Sequence, residues 1–186
     1  MIGAVVLAAG SGTRMGRPKA SLIVPGTGAT FADAVLATLA SAGITAVRVV
    51  VAPDAAGSLP GEVVNPDPAR GMLSSVQAGL RALPQETEAV LLWPVDHPLV
   101  SAATVRSLVD RFRVDAPPVV VPTLGGRRGH PALFAARVIP ELLSADPSVG
   151  ARAVVLAHAD RVELPVADRG VVRDIDTPGD LGAIGA

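Results

Sequence analysis

Continuous runs of apolar residues are the strongest pattern in this chain, and they predict buried strands. The clearest runs occupy residues 3–9, 47–52, where Arg48 is the one interruption, and 89–93, and each is followed directly by a glycine or a proline. Such runs are typical of strands that are covered on both faces in a parallel sheet. A shorter apolar stretch at 119–121 predicts a further strand, and so does the segment 171–176, in which three of the six residues are apolar.

Between these runs, apolar positions recur at helical spacing. This spacing predicts helices over residues 30–42, 73–83, 101–113, 138–143 and 149–158, and a terminal helix that begins at Pro178. Strands that alternate with helices predict an α/β fold, a three-layer α/β/α sandwich around a mostly parallel, Rossmann-like sheet with right-handed crossovers. Since no linker or repeat divides the sequence, we expect a single domain over residues 1–186.

Composition and charge limit the kinds of ligand and site that are expected for this protein. The 186 residues contain one Trp, three Phe and no Tyr, and the formal net charge is −1. A nucleic acid is therefore not expected as a partner, because neither a basic field nor a set of stacking rings is available. The chain has no cysteine, which excludes thiolate metal sites and cysteine nucleophiles. Its first residues lack a basic leader and a membrane-length apolar run, so a cytoplasmic protein is expected.

The loop at residues 10–19, directly after the first predicted strand, carries the strongest chemical signal. It holds three glycines, two arginines and Lys19, which is the only lysine among the sixteen basic residues of the chain. Glycines allow backbone N–H groups to approach an anion, and the cationic side chains add charge, so the loop is a candidate phosphate cradle. Its spacing matches neither a Walker loop nor the dinucleotide fingerprint. A simple tight turn is the alternative.

Five motifs resemble, in order, those of the molybdenum cofactor cytidylyltransferases, within the MobA-like nucleotidyltransferases. The first is Leu-Ala-Ala-Gly-x-Gly-x-Arg-Met-Gly-x-x-Lys at residues 7–19. The others are the segment 65–80, Asp96-x-Pro98, Gly129-His130-Pro131, and Asp-Ile-Asp-Thr-Pro-x-Asp-Leu at 174–181. The resemblance covers almost the whole chain and implies the fold of the nucleotide-diphospho-sugar transferases.

The resemblance also implies a role for particular residues. It assigns catalysis to Arg14, Lys19 and Asp96, a metal ion, Mg²⁺, to Asp96 and Asp176, and the acceptor to Arg127, Gly129 and His130. The residues that it implies for nucleotide binding are Leu7, Ala8, Ala9, Gly10, Ser11, Gly12, Arg14, Met15, Lys19, Asn65, Gly71, Met72 and Ser75. Arg128, beside Arg127, is a further candidate anchor for the phosphate of the acceptor.

The expected substrates are a nucleoside triphosphate and a phosphorylated acceptor, molybdopterin or the molybdenum cofactor. Ala9 stands where guanylyltransferase relatives commonly have Gly, which favours CTP, whereas His97 departs from the Gln common in the family's metal loop. Nucleotidyl transfer joins two anions, so repulsion must be screened, and Mg²⁺ prefers carboxylates together with phosphate oxygens. Asp96 and Asp176 could end two neighbouring strands, and Asp174 competes with Asp176 for the metal. An acceptor phosphate is already ionised, so no general base is required.

Other interpretations remain open at this stage. The aspartates could be turn or capping residues, Ser74 and Ser75 could cap a helix, and His130 could be structural. The activity could be guanylyl or other nucleotidyl transfer to a sugar phosphate or a phospholactate-type acceptor. A non-catalytic protein that delivers a finished cofactor is the alternative from a different class. Docking to a molybdoenzyme or chaperone is left open.

Overall fold

The computed structural model describes residues 1–10, 12, 15–57, 59–148 and 150–184. Within them, eight strands form one mixed, mostly parallel sheet in the order β3-β2-β1-β4-β7-β5-β6, and β8 pairs with β5. The strands are β1 (Ile2–Leu7), β2 (Ala46–Val51), β3 (Glu62–Val64), β4 (Ala89–Pro94), β5 (Val119–Leu124), β6 (Arg127–Arg128), β7 (Ala132–Ala135) and β8 (Val162–Pro165). The predicted α/β fold with a Rossmann-like sheet is confirmed.

The helices cover this sheet in two groups. They are α1 (Phe31–Ser41), α2 (Met72–Arg81), α3 (Ala102–Asp115), α4 (Ile139–Ser144), α5 (Ala151–Ala157) and α6 (Pro178–Gly182). Helix α2 packs on β1 and β2 beside α4 and α5, whereas α3 packs on β5 and β7 beside α1. Among the described helices, none combines the length and the apolar character that a membrane span requires.

The core forms where the predicted apolar runs meet. Strands β1 and β4 are almost completely buried and pair in parallel, so their carboxyl ends lie side by side at one edge of the sheet. Helix α2 approaches them closely, because a Cβ on Gly79 would lie 2.3 Å from a methyl carbon of Val5. A parallel α/β sheet offers its ligand sites at this carboxyl edge.

The antiparallel part of the sheet was missed from sequence. Strand β7 is antiparallel to both β4 and β5, and the short strand β6 forms a hairpin with the end of β5. Strand β8 was missed as well, because its alternating pattern with the exposed Glu163 and a terminal Pro165 lacks the continuous apolar run used to recognise the others.

The prediction of a strand at 171–176 was wrong. The chain forms a short 3-10 helix at Arg169–Val172 and then continues without regular structure to α6. Val171 and Ile175 are fully buried, and this explains the apolar signal. Two backbone hydrogen bonds attach the segment to the sheet edge, one from His130 N–H to the Val171 carbonyl at 2.8 Å and one from Ile175 N–H to the Asp96 carbonyl at 3.0 Å.

Candidate active site

Lys19, Asp96 and Asp176 meet at the carboxyl edge of the sheet. Asp96 follows β4, and Lys19 follows the glycine-rich loop behind β1. The Lys19 ammonium donates to Asp96 Oδ2 at 2.8 Å and forms a second, short ion pair with Asp176 Oδ1. Asp176 arrives here because its neighbour Ile175 is bonded to the Asp96 backbone, and not at the end of a strand as predicted.

Charge makes this cluster a candidate site for cations and for phosphate. Partial burial lowers the pKa of Lys19, but the hydrogen bonds to Asp176 and Asp96 outweigh it, so the net pKa lies above its ordinary value. Lys19 is therefore positively charged at neutral pH. The side chains of Asp96 and Asp176 are 20% and 34% exposed, so both are accessible from solvent. Two carboxylates around one ammonium leave a negative charge, and they are hard oxygen donors that suit Mg²⁺.

A cavity of about 220 Å³ adjoins the cluster and contains much of the predicted nucleotide site. We refer to it as the nucleotide cavity. Of the residues predicted to bind the nucleotide, its wall includes Leu7, Ala9, Gly10, Lys19, Met72 and Ser75. Asp96 lines the same cavity, which brings the first loop, the start of α2 and the loop after β4 to one place.

Two other residues predicted to bind the nucleotide, Ala8 and Gly71, are not among those that line the cavity. Ala8 is buried and donates its N–H to the Val50 carbonyl. Gly71 has φ of 104°, and a Cβ there would lie 2.9 Å from the Pro147 carbonyl oxygen. A side chain at Gly71 would therefore be strained and would push the α4–α5 loop away.

The glycine-rich loop is described only in part. Ser11 and Arg14 lie outside the described residues, so their predicted roles are not addressed by the structure. Gly12 has φ of 58°, and Met15 N–H donates to its carbonyl at 2.8 Å. Gly12 and Met15 thus form a backbone turn. Their contact with the nucleotide stays a prediction.

Asn65 holds the Ser75 side chain in place through a hydrogen bond. Its side-chain amide donates to Ser74 Oγ at 2.8 Å and to Ser75 Oγ at 2.9 Å, while its Oδ1 accepts from Asp67 N–H. Asn65 is buried, and it orients a hydroxyl that lines the nucleotide cavity. Sequence reasoning selected both residues as nucleotide contacts but did not separate the supporting amide of Asn65 from the Ser75 side chain that lines the cavity.

A second cavity, of about 640 Å³, adjoins the first. We refer to it as the acceptor cavity. The two share Leu7, Met72 and Pro94 as wall residues, so they meet beside the Lys19 cluster. The three predicted acceptor residues, Arg127, Gly129 and His130, all line it.

Arg152 also lines the acceptor cavity, and sequence reasoning missed it. It lies in the first turn of α5 and is exposed. Its only sequence signal is an arginine after Gly150, which is indistinguishable from a solvated surface residue. Arg128, in contrast, donates through Nε to Glu163 at 2.7 Å.

His130 is a neutral imidazole packed on His97. The ring centroids are 4.9 Å apart, and His97 Nδ1 donates to the Gly170 carbonyl at 3.2 Å. Within the described residues, His130 Nδ1 is buried without a hydrogen-bond partner. Burial, with a smaller effect of His97, lowers the pKa of His130 to about 4. A neutral imidazole can both donate and accept a hydrogen bond, and His130 lines the acceptor cavity.

The lowered pKa of His130 should make the protein less stable in mild acid. Below pH 6.5 the unfolded chain takes up a proton that the folded chain accepts only near pH 4. His130 should therefore cost about 2 kcal/mol of unfolding free energy by pH 5. Urea denaturation at pH 7.5 and pH 5 measures this loss, and the His130→Gln variant should show less of it. An equal loss in both proteins would show that other groups are responsible.

Gly129 permits the close approach that positions His130. A Cβ at Gly129 would lie 2.2 Å from the Val171 carbonyl oxygen, which is a backbone atom that cannot rotate away. We expect Gly129→Ala to lower the unfolding free energy by about 1–3 kcal/mol, by displacing the 169–176 segment. Thermal and urea unfolding test this, with Gly182→Ala as control because a Cβ there meets no atom within 4 Å. Equal unfolding free energies for the two variants would show that the Val171 carbonyl does not restrict the side chain at position 129.

Comparison with known protein families gives a match over most of the chain. Residues 4–162 match the model of the MobA-like NTP transferase domain. The chain belongs to this family. The match includes the residues that line the nucleotide cavity and the acceptor cavity but ends before Asp176, so the third member of the charged cluster comes from outside the matched region.

Several individual proteins resemble this MobA-like NTP transferase domain. Rv0371c from Mycobacterium tuberculosis superposes with a TM-score of 0.84 at 30% identity, over 98% of this chain and 96% of that one. A structure of Rv0371c in complex with manganese gives a TM-score of 0.79 at 28% identity, covering 98% and 97% of the two chains.

A curated relative is the 2-C-methyl-D-erythritol 4-phosphate cytidylyltransferase of Streptomyces coelicolor. It is 39% identical over 131 residues, which are 63% of this chain and 48% of that protein, so the chain spans about half the length of this relative. Molybdopterin-guanine dinucleotide biosynthesis protein A from Archaeoglobus fulgidus shares the fold, with a TM-score of 0.75 at 18% identity over 100% of this chain and 97% of that one.

Proposed function

We propose that this protein transfers CMP from CTP to the phosphate of a small acceptor, molybdopterin or its metal-loaded form, and releases pyrophosphate. One observation carries the proposal: the cluster of Lys19, Asp96 and Asp176 lies beside the nucleotide cavity, at the place where that cavity meets a second, larger one. A transferase with two substrates needs such an arrangement, because both reacting phosphates must reach one set of charges.

The reaction is an in-line displacement at the α-phosphorus. An oxygen of the acceptor phosphate forms a bond to the α-phosphorus, and the bond from that phosphorus to the bridging oxygen of pyrophosphate breaks. Pyrophosphate leaves with the electron pair of that bond. Lys19 lines the nucleotide cavity, so its role would be to neutralise charge on a triphosphate bound there. The acceptor phosphate is ionised at neutral pH, so no side chain has to remove a proton.

The cluster fits a divalent metal ion. One ammonium group contacts both Asp96 and Asp176, so a single cation at this place can reach both carboxylates. When bound, Mg²⁺ or Mn²⁺ would screen the repulsion between the two anions and stabilise the leaving pyrophosphate. Rv0371c, a relative of similar length, has been solved in complex with manganese, which supports this assignment. The triphosphate gives Lys19 an alternative anionic partner when the metal binds.

The base preference rests on Ala9. Ala9 lines the nucleotide cavity. Its methyl group would narrow the space for a purine if the base lies against it. The Streptomyces coelicolor cytidylyltransferase supports CTP as well. One methyl group contributes only about 1–3 kcal/mol of discrimination, so GTP is expected to bind more weakly rather than to be excluded.

Pyrophosphate release tests the proposal. The purified protein would be incubated with Mg²⁺ or Mn²⁺, with either molybdopterin or a sugar phosphate as acceptor, and with each nucleoside triphosphate in turn. Release that depends on both CTP and molybdopterin is the expected result. Release with GTP and a sugar phosphate would favour the other transferase reaction, and binding of CTP without release in any combination would favour a delivery protein.

A further inference from the structure

Arg127 and Arg152 differ from Arg128, the third arginine that lines the acceptor cavity, in their side-chain contacts. Both are exposed, and in the part of the chain that the structure describes neither forms an ion pair or a side-chain hydrogen bond. Arg128 lines the same cavity, but its guanidinium is held by Glu163, which also binds Arg161. Two of the three cavity arginines therefore keep their full donor capacity for a ligand.

The remaining wall of the acceptor cavity is mainly aliphatic and aromatic. Leu92, Val121 and Phe134 form part of it, and all three are buried side chains of the sheet. Met72 and Leu156 also line it, although they are 61% and 47% exposed. Large apolar side chains that remain exposed beside a cavity mark a surface that an apolar ligand covers.

Apart from the three arginines, His130 is the one polar side chain among the described lining residues. A polyhydroxylated ligand would place several hydroxyl groups against this wall without side-chain partners, which opposes binding. A ligand with a planar or apolar body and one strongly anionic end matches the cavity better. Two guanidiniums suit that end, because each can donate two parallel hydrogen bonds to a phosphate.

We propose that Arg152 and Arg127 together bind an anionic group of the acceptor, and that the acceptor has a planar or apolar body rather than a sugar body. This inference rests on the proposed function, since it treats the second cavity as the acceptor site. It makes Arg152, to which neither the motifs nor the family match assigned a role, a specificity-determining residue. It also assigns Arg128 to holding Glu163 rather than to binding the acceptor.

Direct binding tests this proposal without any nucleotide. The probes are naphthyl phosphate, glucose phosphate and inorganic phosphate, titrated calorimetrically into the wild-type chain and into the Arg127→Gln, Arg152→Gln and Arg128→Gln variants. Naphthyl phosphate should bind about tenfold or more tightly than the other two probes. Arg127→Gln and Arg152→Gln should each weaken it by about tenfold to a hundredfold, and Arg128→Gln by less than about threefold.

Three results would overturn the proposal. They are equal effects of Arg152→Gln and Arg128→Gln, binding of glucose phosphate as tight as that of naphthyl phosphate, and no saturable binding of naphthyl phosphate to the wild-type chain. Since all three arginines are exposed or half-exposed at the surface, the variants should fold. Loss of pyrophosphate release with every acceptor would refute the proposed function, but it would leave the pattern of probe binding standing as evidence for the arginine pair.

Discussion

Lys19→Ala should lower the rate of nucleotidyl transfer by roughly 10²–10³-fold, the scale expected for removing one fixed charge from a transition state. The wild-type ammonium contacts both Asp96 and Asp176 and lines the nucleotide cavity, so its loss removes positive charge where the triphosphate is expected to bind. Initial rates of pyrophosphate release at saturating CTP measure the effect.

The stability of the Lys19→Ala variant separates catalysis from folding. The three side chains are partly exposed, so the unfolding free energy should change by only about 1 kcal/mol. Binding of Mn²⁺ without nucleotide should be at least as tight as in the wild type, because the ammonium no longer competes for the carboxylates. Lys19→Arg, which keeps the charge but not the compact ammonium, serves as the matched variant. Losses of stability as large as the losses of rate would contradict a phosphate role.

Asp96→Asn should have an effect of similar size, roughly 10²–10³-fold on turnover, and should also weaken Mn²⁺ binding. The substitution keeps the shape of the side chain and leaves the backbone carbonyl that accepts from Ile175 unchanged. The fold and the position of Asp176 should therefore persist. Manganese binding followed by electron paramagnetic resonance, alongside turnover, measures both effects.

Asp174→Asn is the matched control for Asp96→Asn. Asp174 competed with Asp176 as a metal ligand in the sequence interpretation, but it is exposed, and the ion pairs of Lys19 are with Asp96 and Asp176. Its substitution should change turnover by less than about threefold, as is usual for an exposed side chain away from reacting groups. A larger loss in Asp174→Asn than in Asp96→Asn would mean that the metal site has been assigned to the wrong carboxylates.

Local patterns in the sequence predicted the part of the fold that holds the first two members of the cluster. Strands β1 and β4 are buried on both faces, so their apolar runs are continuous, and the residues that follow them necessarily share one edge of the sheet. This reasoning predicts that Lys19 and Asp96 lie at the same edge of the sheet. The fold itself could be predicted for the same reason.

The features that could not be predicted from local patterns depend on contacts between segments far apart in the chain. Asp176 reaches the site through hydrogen bonds made by Ile175 and Val171 to distant segments, and no local periodicity encodes those bonds. The packing of His130 on His97 and the place of Arg152 at the acceptor cavity depend in the same way on elements far apart in the chain. Asp176 was nevertheless selected correctly as a neighbour of Asp96, because the motif resemblance carries information that hydrophobic patterns lack.

The fate of each phosphate of CTP tests the central claim most directly. The chain would be incubated with Mg²⁺, molybdopterin and CTP that carries a radioactive label at either the α- or the γ-phosphorus. Nucleotidyl transfer predicts that the α-label appears in the acceptor product and the γ-label in pyrophosphate. A γ-label found in the acceptor, or released as orthophosphate without an α-labelled product, would contradict the account.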